Sequence, residues 1–178
     1  DGTEIVAGNP SAGQTLVLTV NQDNLTGGAA NDTFDASAHQ DGAGTLINTL
    51  QNVDQLDGGN GTDTLAFTHV GAGVVAPSMA NIENVDARFA GGGTLSLANA
   101  TGVAAINVAN STTAGTVSNI GSVASLSVKN QNQNAAFDQS TAATLALTLD
   151  TFGKSTALNN IDLGSTVAAK ATTLNATL

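Results

Sequence analysis

Two twelve-residue segments near the N-terminal end of the chain align without a gap, and they constrain the fold more than any other feature. The first is DNLTGGAANDTF, residues 23–34, and the second is DQLDGGNGTDTL, residues 54–65. Each contains a glycine pair, then an aspartate and a threonine, and ends on a large apolar residue. Glycine pairs allow left-handed backbone conformations, so each segment predicts a tight turn followed by a short strand. A recurring turn-and-strand unit is typical of chains that stack their repeats.

The rest of the chain alternates apolar and polar residues in short bursts that turn residues interrupt. These bursts are TLVLTV at 15–20, NIENV at 81–85, LSL at 95–97, INV at 106–108, LSV at 126–128, LALTL at 145–149, IDL at 161–163 and LNA at 174–176. From Leu95 onward their starts are 11, 20, 19, 16 and 13 residues apart, and no long segment keeps a helical rhythm. The pattern predicts an all-β parallel solenoid, a β-roll or β-helix with irregular rungs, with a β-sandwich as the alternative. Residues 68–80, which contain Pro77, are predicted to be an irregular connection.

The composition limits how wide the core can be. Aromatic residues make up only 3 % of the chain, and Trp, Tyr and Cys are absent. A core of Leu, Val, Ile and Ala must be thin and regular, which suits stacked β-rungs. We expect a single domain over residues 1–178, with the five phenylalanines filling its core or capping its ends.

The net charge of −10 is confined to one half of the chain. Residues 1–89 hold eleven of the fourteen acids and one base, whereas residues 90–178 hold three of each sign. This division predicts an acidic part at about 1–67 and a neutral part rich in Ala, Thr and Asn at about 81–178. Nucleic acid and anionic membrane are unsuitable partners for such a chain. No apolar run is long enough for a transmembrane segment.

Residues 58–66, GGNGTDTLA, fit the nonapeptide G-G-x-G-x-D-x-U-x in full, where U is a large apolar residue. Here the sequence resembles the RTX family of secreted, calcium-binding β-roll proteins, whose turn carbonyls and aspartates hold calcium. Calcium takes roughly six to eight oxygen ligands, so converging carbonyls and a carboxylate suit it. The resemblance implies Ca²⁺ bound by the two motif copies through Asp23, Gly27, Ala29, Asp32, Asp54, Gly58, Asn60 and Asp63. The alternative is a pair of turns whose aspartates only accept hydrogen bonds from backbone amides.

The first copy and the spacing both depart from the family pattern. Ala30 stands where the third glycine is expected, so this turn is predicted to differ or to bind more weakly. In the family, turns that share ions lie two nonapeptides, about 18 residues, apart. The copies here are 31 residues apart, which leaves 13 residues to bulge out, roughly within residues 35–47. If they do not, each turn must recruit other ligands, for which Asp35, Asp41 and Asp57 are nearest.

Over residues 23–178 the order of motif, apolar strand, NIENVDA and irregular rungs is similar to calcium-dependent surface-layer proteins that proteobacteria export by type I secretion. This implies a calcium-binding structural protein of a surface layer or extracellular matrix fibre, secreted to the cell surface. Its expected partners are copies of itself, with cell-surface polysaccharide as a second candidate. The alternative is a calcium-stabilised module of a secreted adhesin or enzyme carrier region.

Catalysis is not expected of this chain. His39 and His69 are the only histidines, and each lies in what the sequence predicts to be a polar loop, without a partner at metal-ligand spacing. The aspartate pairs could act as glycosidase carboxylates, but the chain lacks aromatic platforms for sugar rings. We therefore predict no enzyme activity.

Overall fold

A computed structural model describes residues 12–153, 159–164 and 173–177 of the chain. Over these residues the protein is all-β, and its strands stack in parallel into a solenoid, which confirms the predicted fold class. The β-sandwich alternative is wrong, because every strand pairing except that of one short hairpin is parallel. None of the described residues forms a helix that is long and apolar enough to cross a lipid bilayer.

The strands are short and belong to several sheets. In chain order they are β1 (Thr15–Val17), β2 (Asn24–Thr26), β3 (Thr33–Ala36), β4 (His39–Gln40), β5 (Leu46–Ile47), β6 (Gln55–Asp57), β7 (Thr64–His69), β8 (Val74–Val75), β9 (Ser78–Ala80), β10 (Asn84–Phe89), β11 (Thr94–Ser96), β12 (Ala105–Ala109), β13 (Gly115–Ser118), β14 (Ser125–Gln131), β15 (Ala135–Phe137), β16 (Thr144–Phe152), β17 (Ile161–Asp162) and β18 (Thr173–Thr177). An eight-stranded sheet has the order β1-β3-β7-β10-β12-β14-β16-β18, and each of its strands begins one rung of the solenoid. A five-stranded sheet, β8-β11-β13-β15-β17, and a three-stranded sheet, β2-β6-β9, form the other faces.

The irregular spacing of the apolar bursts arises because they fall on two different faces. Leu95 lies in β11 of the five-stranded sheet, whereas Ile106 and Leu126 lie in β12 and β14 of the eight-stranded sheet. Within the eight-stranded sheet, paired residues are 20 or 21 positions apart from β7 to β16. From β7 to β16 a rung therefore has a nearly constant length. The sequence conceals this regularity because bursts from two different faces alternate along it.

The core is a column of apolar side chains, one from each rung at each inward position. The main column, in register along the eight-stranded sheet, consists of Leu16, Phe34, Leu65, Val85, Ile106, Leu126 and Leu147. Phe34, Phe67, Phe89 and Phe137 are buried, and Phe152 packs against the core, as expected of core-filling residues. One continuous cluster runs from Leu16 to Leu147, with Ile161 and Leu163 packed against it, so the acidic and neutral parts share one core.

The two motif copies stack directly, as the spacing argument requires. Leu25 pairs with Leu56 and Phe34 pairs with Leu65, so the copies occupy adjacent rungs in the same register. The extra residues form the antiparallel β4–β5 hairpin within residues 35–47. Its turn is closed by Asp41, whose Oδ1 accepts hydrogen bonds from the amides of Ala43 at 2.9 Å and Thr45 at 2.8 Å. The predicted excursion is confirmed.

The prediction that residues 68–80 are an irregular connection is wrong. Strand β7 continues to His69, and the segment then contributes β8 and β9 to two different sheets. The glycines at 71 and 73 separate strands that are too short to show an alternating pattern. Pro77 lies just before β9, outside the ladder positions that a proline cannot serve.

Close packing between rungs predicts that Gly115 tolerates no side chain. A Cβ atom at Gly115 would run into the buried ring of Phe89. We expect Gly115→Ala to lower the free energy of unfolding by about 1–3 kcal/mol, the usual cost of overpacking. The matched control is Gly42→Ala in the exposed hairpin turn, where a Cβ would meet nothing within 4 Å. Urea unfolding followed by circular dichroism measures both, and equal stability of the two variants would contradict this packing.

Candidate metal centre

Three stacked corners connect the three-stranded sheet to the eight-stranded sheet. The first two, residues 27–31 and 58–62, are the glycine corners of the motif copies, and the third, residues 81–83, follows β9. The amide of Gly27 donates to the Asp57 carbonyl at 2.7 Å, and that of Gly58 donates to the Ala80 carbonyl at 2.9 Å. The backbone thus places each corner directly against the next.

The two glycine corners differ in conformation, as the loss of the third glycine predicts. Gly59 and Gly61 of the second corner have φ values of 86° and 136°. Gly28 and Ala30, at the equivalent positions of the first corner, are not among the residues of positive φ. The alanine is accommodated because the first corner does not use the left-handed backbone of the second.

One acidic residue lies at the end of each corner, and together they form a column along the solenoid. The members of this acid column are Asp32, Asp63 and Glu83, which directly precede β3, β7 and β10. Asp32 Oδ1 accepts the Gln14 amide at 2.7 Å, Asp63 Oδ1 accepts the Asp32 amide at 2.6 Å, and Glu83 Oε2 accepts the Asp63 amide at 2.7 Å. Each carboxylate therefore caps a backbone amide one rung earlier.

The second oxygens of the two aspartates have different surroundings. Asp32 Oδ2 accepts the Gly28 amide of its own corner at 2.5 Å. In the second corner the equivalent Gly59 amide donates instead to Asp57 Oδ1 at 3.0 Å. Asp63 Oδ2 is consequently buried without a hydrogen-bond partner, in a residue whose exposed fraction is 0 %. A buried carboxylate oxygen without a donor is costly and needs a physical explanation.

Backbone oxygen lies beside this unpartnered atom. A Cβ added at Gly58 would lie 2.5 Å from Asp63 Oδ2 and would collide with the Asn81 carbonyl oxygen. A Cβ at Gly27 would lie 2.5 Å from Asp32 Oδ2 and would collide with the Gly58 carbonyl oxygen. Each aspartate oxygen is therefore near a carbonyl oxygen of the following corner, and the glycines leave open the space that a side chain would fill.

The electrostatics of the acid column are unfavourable without a cation. Burial raises the pKa of Asp63 above its ordinary value, and the negative charges of Asp32, Glu83 and Asp57 raise it further. Arg88 is the only base in residues 1–89, and its Nε donates to the Asn110 carbonyl oxygen at 3.1 Å. The donors that lower the energy of these carboxylates are thus backbone amides, since each accepts the amide of a residue one rung earlier.

These residues fit a hard divalent cation held by mixed ligands. No three His, Cys, Asp or Glu side chains among the described residues converge closely enough to hold a metal by themselves. Any ion here must therefore take much of its coordination from backbone carbonyls, which is the chemistry that calcium prefers. Of the predicted ligands, Gly27, Asp32, Gly58 and Asp63 lie at this site. Ala29 and Asn60 are exposed residues of the same corners, and their carbonyls as ligands stay predictions.

Asp23 and Asp54 form a separate column on another corner of the solenoid, before β2 and β6. Asp54 accepts the amides of Asp23 at 2.9 Å and Gln51 at 2.8 Å, one on each oxygen. Asp23 accepts the Thr19 amide at 2.7 Å and the Thr19 hydroxyl at 3.0 Å. All four carboxylate oxygens are occupied, so for this pair the geometry favours the amide-capping alternative over the predicted ligand role.

Of the spare carboxylates, only Asp57 reaches the stacked corners. It accepts the Asn81 side-chain amide at 2.8 Å as well as the Gly59 amide. Asp35 bonds Ser37 within its own rung, and Asp41 closes the hairpin. Sequence reasoning missed Asn81 and Glu83. The available signal was that Glu83 follows Asp63 by 20 residues, one rung length, in a segment with no glycine pair.

The interpretation of His69 as a loop residue is wrong. His69 is fully buried in β7, with its ring 5.5 Å from that of Phe67 and stacked on Phe89 at 6.0 Å. Burial lowers the pKa of His69, although the nearby Gly71 and Gly73 carbonyls oppose this shift. Neither ring nitrogen has a hydrogen-bond partner among the described residues. The imidazole therefore acts as a neutral core side chain, while His39 lies exposed in β4.

The fold and the site thus define a parallel β-solenoid with a column of buried acids along one corner. Comparison of the chain with protein-family models, curated proteins and solved structures found no match. The resemblance to RTX and surface-layer proteins therefore stays a prediction from the motif.

The two hydrogen bonds that Asp54 accepts predict that this residue stabilises the fold without calcium. Asp54→Ala would leave two backbone amides without an acceptor at a fully buried position. We expect the free energy of unfolding, measured in chelator, to fall by about 2 kcal/mol or more. Asp41→Ala is the matched control, because it also removes two amide bonds but in an exposed turn where water replaces them, with a cost within about 1 kcal/mol. Equal losses in the two variants would count against the buried column.

The environment of His69 predicts a pH dependence of stability. Because its pKa is lowered in the folded state, the unfolded chain binds the proton more readily below the ordinary histidine value of 6.5. Stability is therefore complete above this pH and falls as the pH decreases. We expect urea unfolding between about pH 5 and 8 to show a smaller slope for His69→Leu than for wild type. His39→Gln on the exposed hairpin is the control, and a His69→Leu slope equal to that of wild type would contradict the assignment.

Proposed function

We propose that this chain is a calcium-binding structural protein of a bacterial surface layer or extracellular matrix fibre, in which calcium orders the acidic rungs and promotes assembly. The observation that carries the proposal is the buried, unpartnered Oδ2 of Asp63, within a column of carboxylates in a half of the chain whose one Lys or Arg, Arg88, donates to the Asn110 carbonyl instead. An uncompensated buried charge must either take up a proton or bind a cation.

The choice of calcium follows from the ligand types at the corners. Asp63 and Asp32 supply carboxylate oxygen, while Gly58 and Asn81 supply backbone carbonyl oxygen. Zinc favours His and Cys, but the chain has no cysteine and His69 is enclosed by aromatic rings. Magnesium requires a near-ideal octahedron and keeps most of its water, whereas calcium accepts irregular sets of carbonyls. The corner therefore suits calcium better than either alternative.

A structural role is favoured by the way the solenoid is built. Each rung pairs only with its neighbours, and β1 is the terminal strand of the eight-stranded sheet among the described residues. Val17 of β1 is 63 % exposed, in the rung that lies at this end. Terminal strands with exposed apolar side chains favour pairing with another chain, so end-to-end association of copies is the simplest route to an array or fibre.

A calcium titration of Asp63→Asn tests the binding part of the proposal. The variant removes the buried charge, so in chelator we expect it to be at least as stable as wild type. Calcium at about 100 times its dissociation constant should stabilise wild type by roughly 2.7 kcal/mol, and the variant clearly less. The control, Asp86→Asn, removes an exposed acid of β10 and should respond to calcium as wild type does. Thermal unfolding by circular dichroism is the measurement, and a wild type that does not respond to calcium would exclude the proposal.

Light scattering on the same samples separates the two functional classes. Growth of particles with added calcium in wild type, and its reduction in Asp63→Asn, would support the assembly role. Calcium-dependent stabilisation of a chain that stays monomeric would instead indicate a calcium-stabilised module of a secreted adhesin or enzyme carrier region.

A further inference from the structure

The third corner closes the acid column although it lacks a glycine pair. Asn81 has a φ of 52°, so an asparagine adopts the left-handed backbone that glycines provide in the second corner. Its carbonyl oxygen lies beside Gly58, and its side-chain amide donates to Asp57 Oδ1 at 2.8 Å. Two residues later, Glu83 caps the Asp63 amide. The segment NIEN is thus a shorter corner, with three residues between its strands where the second corner has six, but it keeps a left-handed residue and an acid that caps the preceding rung.

Oxygen atoms from both the second and third corners lie beside Gly58: Oδ2 of Asp63, which has no donor, and the carbonyl oxygen of Asn81. The Asp57 carboxylate accepts the Asn81 side-chain amide, and the Glu83 carboxylate accepts the Asp63 backbone amide. We propose that Asn81 and Glu83 complete a second divalent-cation position between the second and third corners, distinct from the position between the two glycine corners. This inference rests on the proposed calcium binding and adds ligands that lie outside both motif copies.

The two positions differ in how strongly they require a cation. At the first position, Asp32 Oδ2 already accepts the Gly28 amide, and the aspartate is partly neutralised by that bond. At the second position, Asp63 Oδ2 has no donor, and the charges of Asp57 and Glu83 are added to its own. Calcium affinity rises with the number of charged ligands. The second position is therefore the tighter of the two.

The same geometry explains why no further position follows along this column. One rung beyond Glu83 the equivalent residue is Ala104, whose amide donates to the Glu83 carbonyl at 2.8 Å. Ala104 has no side-chain oxygen to cap Glu83 or to face an ion. Glu83 is thus the last carboxylate of the column, and the ion-binding part of the chain ends at β10 rather than at the second motif copy.

Isothermal titration of the full chain with calcium chloride, after treatment with a chelator, tests this assignment. We expect two binding events in wild type. Glu83→Gln should weaken the tighter event by about tenfold or more, because it removes one charge from that position. Asp32→Asn should weaken the other event. Asp86→Asn, which removes an equal charge from the exposed face of the same strand, should leave both unchanged.

The outcomes separate this inference from the proposed function. If wild type binds calcium but Glu83→Gln titrates like Asp86→Asn, the third corner is not part of a site and the proposed function stands. If wild type binds no calcium, the proposed function fails, and this inference fails with it. Should Glu83→Gln not fold, Glu83→Asp keeps the charge on a shorter side chain. A loss of affinity in that variant at the tighter event alone supports the assignment, whereas unchanged binding overturns it.

Discussion

Each rung of this solenoid must satisfy the backbone amides of the rung next to it, at the corners as well as in the strands. Along the strands the neighbouring carbonyls do this automatically, because parallel ladders pair residue by residue. At the corners the chain changes direction, and a side-chain oxygen has to supply the acceptor. Asp32, Asp63 and Glu83 do so on one corner and Asp54 does so on another, where Asp23 caps Thr19 of its own rung. Five of the eleven acids in residues 1–89 are used in this way, as caps of corner amides.

The second half of the chain meets the same requirement with neutral groups. Gln131 Oε1 accepts the Ser111 amide, Ser111 Oγ accepts the Phe89 amide, and Asn134 Oδ1 accepts the Asn160 amide. Amide and hydroxyl oxygens cap backbone donors without carrying charge, so these corners need no counter-ion when buried. The carboxylates of the first half are stronger acceptors but leave a net charge in a partly desolvated column. The two parts thus share one core but cap their corner amides with different chemistry, which accounts for five of the acids in residues 1–89.

The sequence predicted the features that repeat within the chain. The short alternating bursts were sufficient for the solenoid, and the 31-residue separation of the two copies indicated that they stack only if residues 35–47 bulge out, which the structure shows as a hairpin. It did not predict which aspartates share a corner, because Asp23 and Asp32 are close in sequence yet begin different faces. Glu83 was missed because its corner has no glycines, and its place in the column depends on the rung length. The sequence around His69 predicts a loop because Gly71 and Gly73 follow it closely and interrupt the alternation of apolar residues.

The nearest-neighbour construction also determines how far the effect of an ion can reach. In stacked repeats each unit is stabilised by its own residues and by its contacts with adjacent units. An ion beside Gly58 would join the second and third corners, and so would act on the rungs of β3, β7 and β10 that carry the acid column. The described rungs from β12 to β16 are held by apolar packing and neutral caps, which do not depend on an ion. Among the described residues, calcium control of order would therefore be confined to the rungs at the β1 end, while the rungs that follow β10 would stay ordered without an ion.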